Sequence, residues 1–259
     1  HTSARVRPED SADQNPQARG GDDLDAGRAG VRLRAMEPVR INNRRGQRSR
    51  TELLDVASRL MAERGYAATS LATVAAECGL PKSAVLYHFA SKAALLSEVM
   101  ARGAYDFFES MRRAHAGGPP TDSPSERLHW YLQRTGEVFS TRSAFLRLHF
   151  LLLMSTEIAD EEDATTADGS GSSIRALIMQ VRRDGRAYMN EMIASSFTPA
   201  AGPEAAQVIA DRLDYFAIAG FDGAFVAHQA EADKTMSELI DQLADALSAL
   251  GSAMLPPNR

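Results

Sequence analysis

The chain has almost no cysteine, no long apolar run and no catalytic signature. Cys78 is its single cysteine in 259 residues, which excludes an intrachain disulfide framework and suits a reducing cytoplasm. No window approaches the roughly 18 consecutive apolar residues of a membrane span, and the N-terminal residues form no apolar secretory core. No G-x-S-x-G occurs, so a nucleophile elbow is not expected. There is no glycine-rich phosphate loop and no His/Cys/Asp group at metal-ligand spacing. GSGSS at 169–173 imitates an elbow only superficially, because no strand precedes it. The expectation is a cytoplasmic protein that is not an enzyme and holds no metal or cofactor.

What is present is helix-forming sequence with an uneven charge. The net charge is −5. Residues 40–92 carry 9 Lys/Arg against 4 Asp/Glu, whereas residues 93–259 carry 14 against 23. A basic module on an acidic body fits a chain that meets nucleic acid at one end. Residues 1–45 are rich in Arg, Asp, Gly, Ala and Pro with little apolar periodicity, and read as a disordered tail. Met36 is a candidate start, which would make residues 1–35 added or upstream sequence; no function is placed there.

The densest information lies in residues 69–95, TSLATVAAECGLPKSAVLYHFASKAAL. Thr69 or Ser70 can cap a short helix whose apolar face is Leu71, Val74, Ala75 and Cys78. Cys78 there reads as a small buried hydrophobe. Gly79 supplies a left-handed stop, and Pro81 suits the start of the next helix. That second helix turns Leu80 and Val85 inward and leaves Lys82, Ser83, Ala84, Tyr87 and His88 outward. Phe89 closes the unit and Ser91 caps a third helix. Upstream, residues 48–64 place Leu53, Val56, Ala57, Leu60 and Met61 on one face and stop at Gly65. Three such helices can share a small core that none could form alone. This is a helix-turn-helix whose second helix has the small polar surface that a DNA major groove accepts. Arg40, Arg44, Arg45, Arg48 and Arg50 precede it as a candidate arm for phosphate or the minor groove.

Residues 48–96 resemble the DNA-binding domain of the TetR (tetracycline repressor) family. The resemblance rests on Gly65-Tyr66, Thr69-Ser70, Val74-Ala75, Cys78-Gly79-Leu80, Tyr87-His88-Phe89 and Ser91-Lys92. Two positions depart from the family pattern: Pro81 stands where a Ser/Thr cap is usual, and Leu86 where a phosphate-touching Tyr is frequent. The resemblance implies an all-α fold, with a three-helix reader over 46–92 and a helical ligand-binding and dimerisation domain over 93–255. Its DNA contacts would come from Arg48, Arg50, Thr69, Ser70, Lys82, Tyr87, His88 and Lys92. Ser83 and Ala84 would face base edges, with Ala84 suited to a thymine methyl.

After Lys92 the chain reads as successive helices over 92–114, 124–139, 142–156, 173–197, 203–230 and 235–254. The acidic stretch 159–172 reads as a surface loop and lacks the ligand spacing of a calcium site. Phe197-Thr198-Pro199 is expected to end its helix. Apolar residues with a few polar handles nominate a ligand pocket: Trp130, Phe139, Phe145, His149, Met154, Met179, Tyr188, Met192 and Phe216. The last two helices nominate a homodimer interface through Leu213, Ala217, Gly220, Phe221, Ala224, Leu239, Leu243 and Leu247. By resemblance, the function is a homodimeric regulator, expected to be a repressor released from a palindromic operator by a small hydrophobic or amphipathic ligand. The competing reading is a DNA-binding regulator that needs no small molecule.

Overall fold

A computed structural model describes residues 44–155, 174–230 and 233–255. All of them fall within one compact unit, Leu33–Arg259. Residues 1–43 of the expected N-terminal tail, Arg40 among them, and the 159–172 loop lie outside the described residues, whereas residues 44–45, expected in that tail, begin the first helix.

The described residues form helices joined by turns, with no strand among them. The elements are α1 (Arg44–Arg64), α2 (Leu71–Glu77), α3 (Lys82–His88), α4 (Lys92–Ala114), α5 (Pro124–Thr141), α6 (Ser143–Met154), α7 (Ile174–Ala201), α8 (Pro203–Ala230) and α9 (Met236–Ser252). Local chemistry sets many of their ends. Gly65 closes α1 at φ +85°, a left-handed conformation that glycine adopts without a Cβ penalty. Ser70 caps α2 by accepting from Thr73 N at 3.0 Å. Gly79 follows at φ +64°, and Leu80 N returns to the Ala75 carbonyl at 2.9 Å. Ser91 caps α4, and Thr235 and Glu238 cap α9 reciprocally.

One boundary differs from expectation. α7 does not stop at Phe197 but continues through Pro199 to Ala201. Proline has no N–H to donate four residues back, so the Ser195 carbonyl loses its helical partner. Arg127 Nε donates to that carbonyl instead, at 3.2 Å. The helix ends at Gly202, φ +77°.

Leu53, Ala57, Leu60, Met61, Val74, Val85 and Phe89 bury the core of the reader, and this core is continuous with that of the body. α7 and α8 form the most extensive helix pair, α9 packs on α5 and α8, and α1 meets both α4 and α6. Phe145 of α6 rests against Gly103 in mid-α4, where an added Cβ would come within 2.4 Å of the ring. Among the described residues, no helix is long and apolar enough to cross a membrane.

Candidate nucleic-acid interface and the body behind it

Burial sorts the residues of α3 into two faces. Val85 is fully buried and Phe89 nearly so, while Tyr87 is 75% exposed and Leu86 46% exposed. Lys82 and Ser83 are also exposed, and Ala84 and His88 are half-buried. Pro81 precedes the helix without a side-chain cap. The outward surface is therefore Lys82, Ser83, Leu86 and Tyr87. The edge of His88 meets Tyr87 at 5.1 Å between ring centroids. Burial, and secondarily the charge of Arg50, holds the His88 imidazole below its ordinary value, which favours the neutral ring.

Three of the expected DNA contacts are occupied inside the chain. Thr69 is 1% exposed, and its hydroxyl donates to the Gly65 carbonyl at 2.9 Å. It fastens the turn between α1 and α2, so the structure removes it from the surface. The Arg50 guanidinium pairs with Glu98 of α4 and lies 5.2 Å from the Phe89 ring centroid. Lys92 Nζ donates to the Ala67 carbonyl at 3.2 Å and stands 4.1 Å from the Tyr66 ring centroid. Arg48 and Ser70 are exposed as expected of surface groups, although the Ser70 hydroxyl already serves as a cap. Ion pairs of Arg59 with Glu77, and of Arg102 with Asp55, also tie α1 to its neighbours.

In the body, the nominated pocket residues divide between surface and core. Met154 (82%), Met179 (40%) and Phe216 (48%) are exposed. Trp130 borders an open surface hollow of about 580 Å³, together with Ser125, Glu126, His129, Gln133, Arg134 and Glu137. The Arg134 guanidinium sits 4.5 Å above its ring. Phe139 and Phe145 are buried and pack on Phe107 with centroids 5.6 and 5.7 Å away. Met192 is buried beside Thr135. His149 is 3% exposed, and its Nδ1 has no hydrogen-bond partner among the described residues. Burial, then the charge of Arg182, lowers its pKa to about 4. A cavity of about 30 Å³ lies among Leu152, Leu153, Ser155, Arg175, Ile178 and Met179, room for a single water.

His115 lies just beyond the helix expected over 92–114, where it caps α4, and it organises this region. Its Nε2 lies 3.1 Å from the Tyr131 carbonyl, and its Nδ1 lies 3.2 Å from the Tyr188 hydroxyl. A carbonyl can only accept, so Nε2 carries the proton and Nδ1 accepts from Tyr188. Burial lowers the His115 pKa to about 4 and, helped by the charge of Glu191, pushes the Tyr188 hydroxyl up to about 12. The C-terminal end of α4 is thus bonded to both α5 and α7.

The expected dimer residues face the chain's own core. Leu213, Ala217, Phe221, Ala224, Leu243 and Leu247 are all under 9% exposed; Gly220 and Leu239 are half-buried. An added Cβ at Gly220 would come within 2.3 Å of Leu243, so this close approach joins α8 to α9 of the same chain. The outward face of α8 instead carries Val208, Tyr215, Phe216 and Val226, each 48–66% exposed. No cluster of three or more His, Cys, Asp or Glu side chains suited to a metal occurs among the described residues.

Comparison with known proteins agrees with the reader's geometry. Residues 53–99 match the description "Bacterial regulatory proteins, tetR family". The transcriptional repressor KstR2 of Rhodococcus jostii (strain RHA1) is 35% identical over 79 residues, covering 30% of this chain and 39% of that protein. The regulator AcrR of Shigella flexneri is 37% identical over 61 residues, 24% of this chain and 28% of that one. The chain thus spans about two fifths or less of the length of these relatives. At the level of fold, a putative transcriptional regulator from Saccharomonospora viridis, solved in complex with choline, superposes with TM-score 0.57. It is 20% identical, and the match covers 77% of this chain and 95% of that one. The chain thus carries, at residues 53–99, a helix-turn-helix segment similar to that of the TetR family of transcriptional regulators, ahead of an all-helical body that shares the fold of the Saccharomonospora structure.

Proposed function

We propose that the chain is a DNA-binding transcriptional repressor that acts as a homodimer at a palindromic operator. The observation that carries this reading is α3, which sets Lys82, Ser83 and Tyr87 outward on a helix whose other side, Val85 and Phe89, is locked in the core. Such a helix can enter a major groove as a rigid probe. One probe covers only a few base pairs, so two related by a two-fold axis would read an inverted repeat. The exposed apolar stripe Val208, Tyr215, Phe216 and Val226 on α8 is the surface that a second copy would cover. The name of the KstR2 relative, a repressor, supports the sign of regulation.

Release by a small hydrophobic or amphipathic molecule belongs to the same reading. It would require a form of the body that binds ligand better than the DNA-competent form does. The choline complex of the Saccharomonospora relative supports a ligand in this type of body. One observation favours the alternative regulator without a small molecule: Phe139, Phe145 and Met192 are packed, and the cavity beside Ile178 holds only about 30 Å³.

Selection of random duplex DNA by the purified chain tests the reader. An inverted repeat with half-sites roughly 34–36 Å apart or more is the expected product; a folded dimer that enriches no sequence would sink the proposal.

A further inference from the structure

Leu86 is the apolar member of an otherwise polar reading face. It follows Lys82 and Ser83 by one helical turn, at i+4 and i+3, so the three share a surface. At 46% exposure it projects from a helix whose neighbouring Val85 is fully buried, and the core therefore does not account for its side chain. Leucine has no donor or acceptor. It gains nothing from a phosphate, and against a cytosine amino group or a guanine O6 it would displace water without replacing the hydrogen bond. The apolar feature of the major-groove edges is the C5-methyl of thymine. Ala84 was the expected partner of such a methyl, but it is half-buried and carries a single carbon beyond the backbone. Leu86 is both longer and more exposed.

We propose that Leu86 determines operator specificity by packing on a thymine methyl in each half-site. This inference rests on the DNA-reading function proposed above. It predicts selection of two kinds: apolar contact favours thymine, and unpaired polar edges disfavour the other bases.

The test uses the full chain and the duplex it selects, with each thymine replaced in turn by uracil, which lacks only the methyl. For the native chain, binding should weaken about fourfold per methyl removed at one position of each half-site, the ratio expected for burying one such carbon. Leu86→Ala should bind the thymine and uracil duplexes equally and tolerate any base at that position. Leu86→Met should keep the preference. Because the side chain is exposed, an unchanged circular dichroism spectrum is expected for both variants. The inference is overturned if the native chain ignores every methyl. It is also overturned if Leu86→Ala retains the thymine-to-uracil ratio, which would assign the methyl to another side chain. Failure to bind any duplex would instead remove the DNA-reading function itself, and this inference with it.

Discussion

Arg127 of α5 and Pro199 of α7 are complementary: the guanidinium supplies the hydrogen bond that the proline ring cannot. Arg127 Nε reaches the Ser195 carbonyl at 3.2 Å, the group that the N–H of an ordinary residue at 199 would have served. The same side chain bonds Ser195 Oγ at 3.2 Å and the Thr121 carbonyl at 2.9 Å. Removing it strands a partly buried acceptor. Arg127→Ala should therefore destabilise the fold by about 1–3 kcal/mol. In a Pro199→Ala background the helix can satisfy Ser195 itself, and the same substitution should cost less. A double-mutant cycle by urea unfolding measures the coupling; strictly additive costs would show the two residues to be independent.

Gly103 makes a second prediction of this kind. A mid-helix glycine costs about 1 kcal/mol relative to alanine, yet an alanine here would bring its Cβ within 2.4 Å of Phe145. Phe145 is held in turn by Phe107 and cannot yield cheaply. Gly103→Ala should lower stability by about 1–3 kcal/mol despite its better propensity. Adding Phe145→Leu should recover part of the loss. A gain in thermal stability from Gly103→Ala alone would mean that α6 can move away from α4 at little cost.

The elements legible in the sequence were those set by their own neighbours. Ser70, Gly79 and Ser91 act within a few residues of themselves, so the reader's turns could be read directly. The extension of α7 through Pro199 could not, because it depends on Arg127, 68 positions from the carbonyl it serves. The faces of α8 were misjudged for a related reason. Phe221 is fully buried and Phe216 is 48% exposed, yet both are aromatic residues in one apolar helix. Only the packing of α7 and α9 decides between them. A candidate pocket could not be told from core in the sequence, because apolar residues at helical spacing describe both equally well. His115 was missed because its partners Tyr131 and Tyr188 come from two other helices.

Two histidines should make stability pH-dependent. His115 and His149 are each lowered to about 4 from an ordinary 6.5. Between these values the unfolded chain binds protons that the folded chain does not, so stability is full above about 6.5 and falls as pH drops towards 4. Asp184, Asp222 and Glu191 act in the opposite sense, because burial holds their carboxyls above the usual range. Substitution separates the contributions. His149→Leu should flatten the urea-midpoint slope between pH 6.5 and 4 while leaving stability near pH 7 unchanged or higher, since Nδ1 has no partner to lose. An unaltered slope would mean that His149 is protonated in the folded state.

The two faces of α8 predict opposite outcomes for a new charge. Val226 is 55% exposed on the outward stripe, whereas Phe221 is fully buried. Val226→Asp should therefore convert a dimer to a folded monomer in sedimentation, with helicity retained. Phe221→Asp should unfold the chain, because an unpaired carboxylate would enter the core. A Val226→Asp protein that still sediments as a dimer would move the interface off this stripe.

Lys82 and Lys92 were both expected to meet phosphate, but their surroundings separate them. Lys82 is exposed on α3, so Lys82→Ala should weaken DNA binding across sequences and reduce the salt slope by about one. The Lys92 ammonium already bonds the Ala67 carbonyl and faces the Tyr66 ring, which fastens the start of α4 to the turn after α1. Lys92→Ala should thus lower the melting temperature, through loss of a cation–π contact worth about 0.5–1 kcal/mol, while its salt slope stays close to that of the native chain. The decisive comparison is between the two variants in one titration series. If Lys92→Ala flattens the slope as much as Lys82→Ala does and melts at the native temperature, the ammonium leaves Tyr66 on the duplex and Lys92 is a phosphate ligand after all.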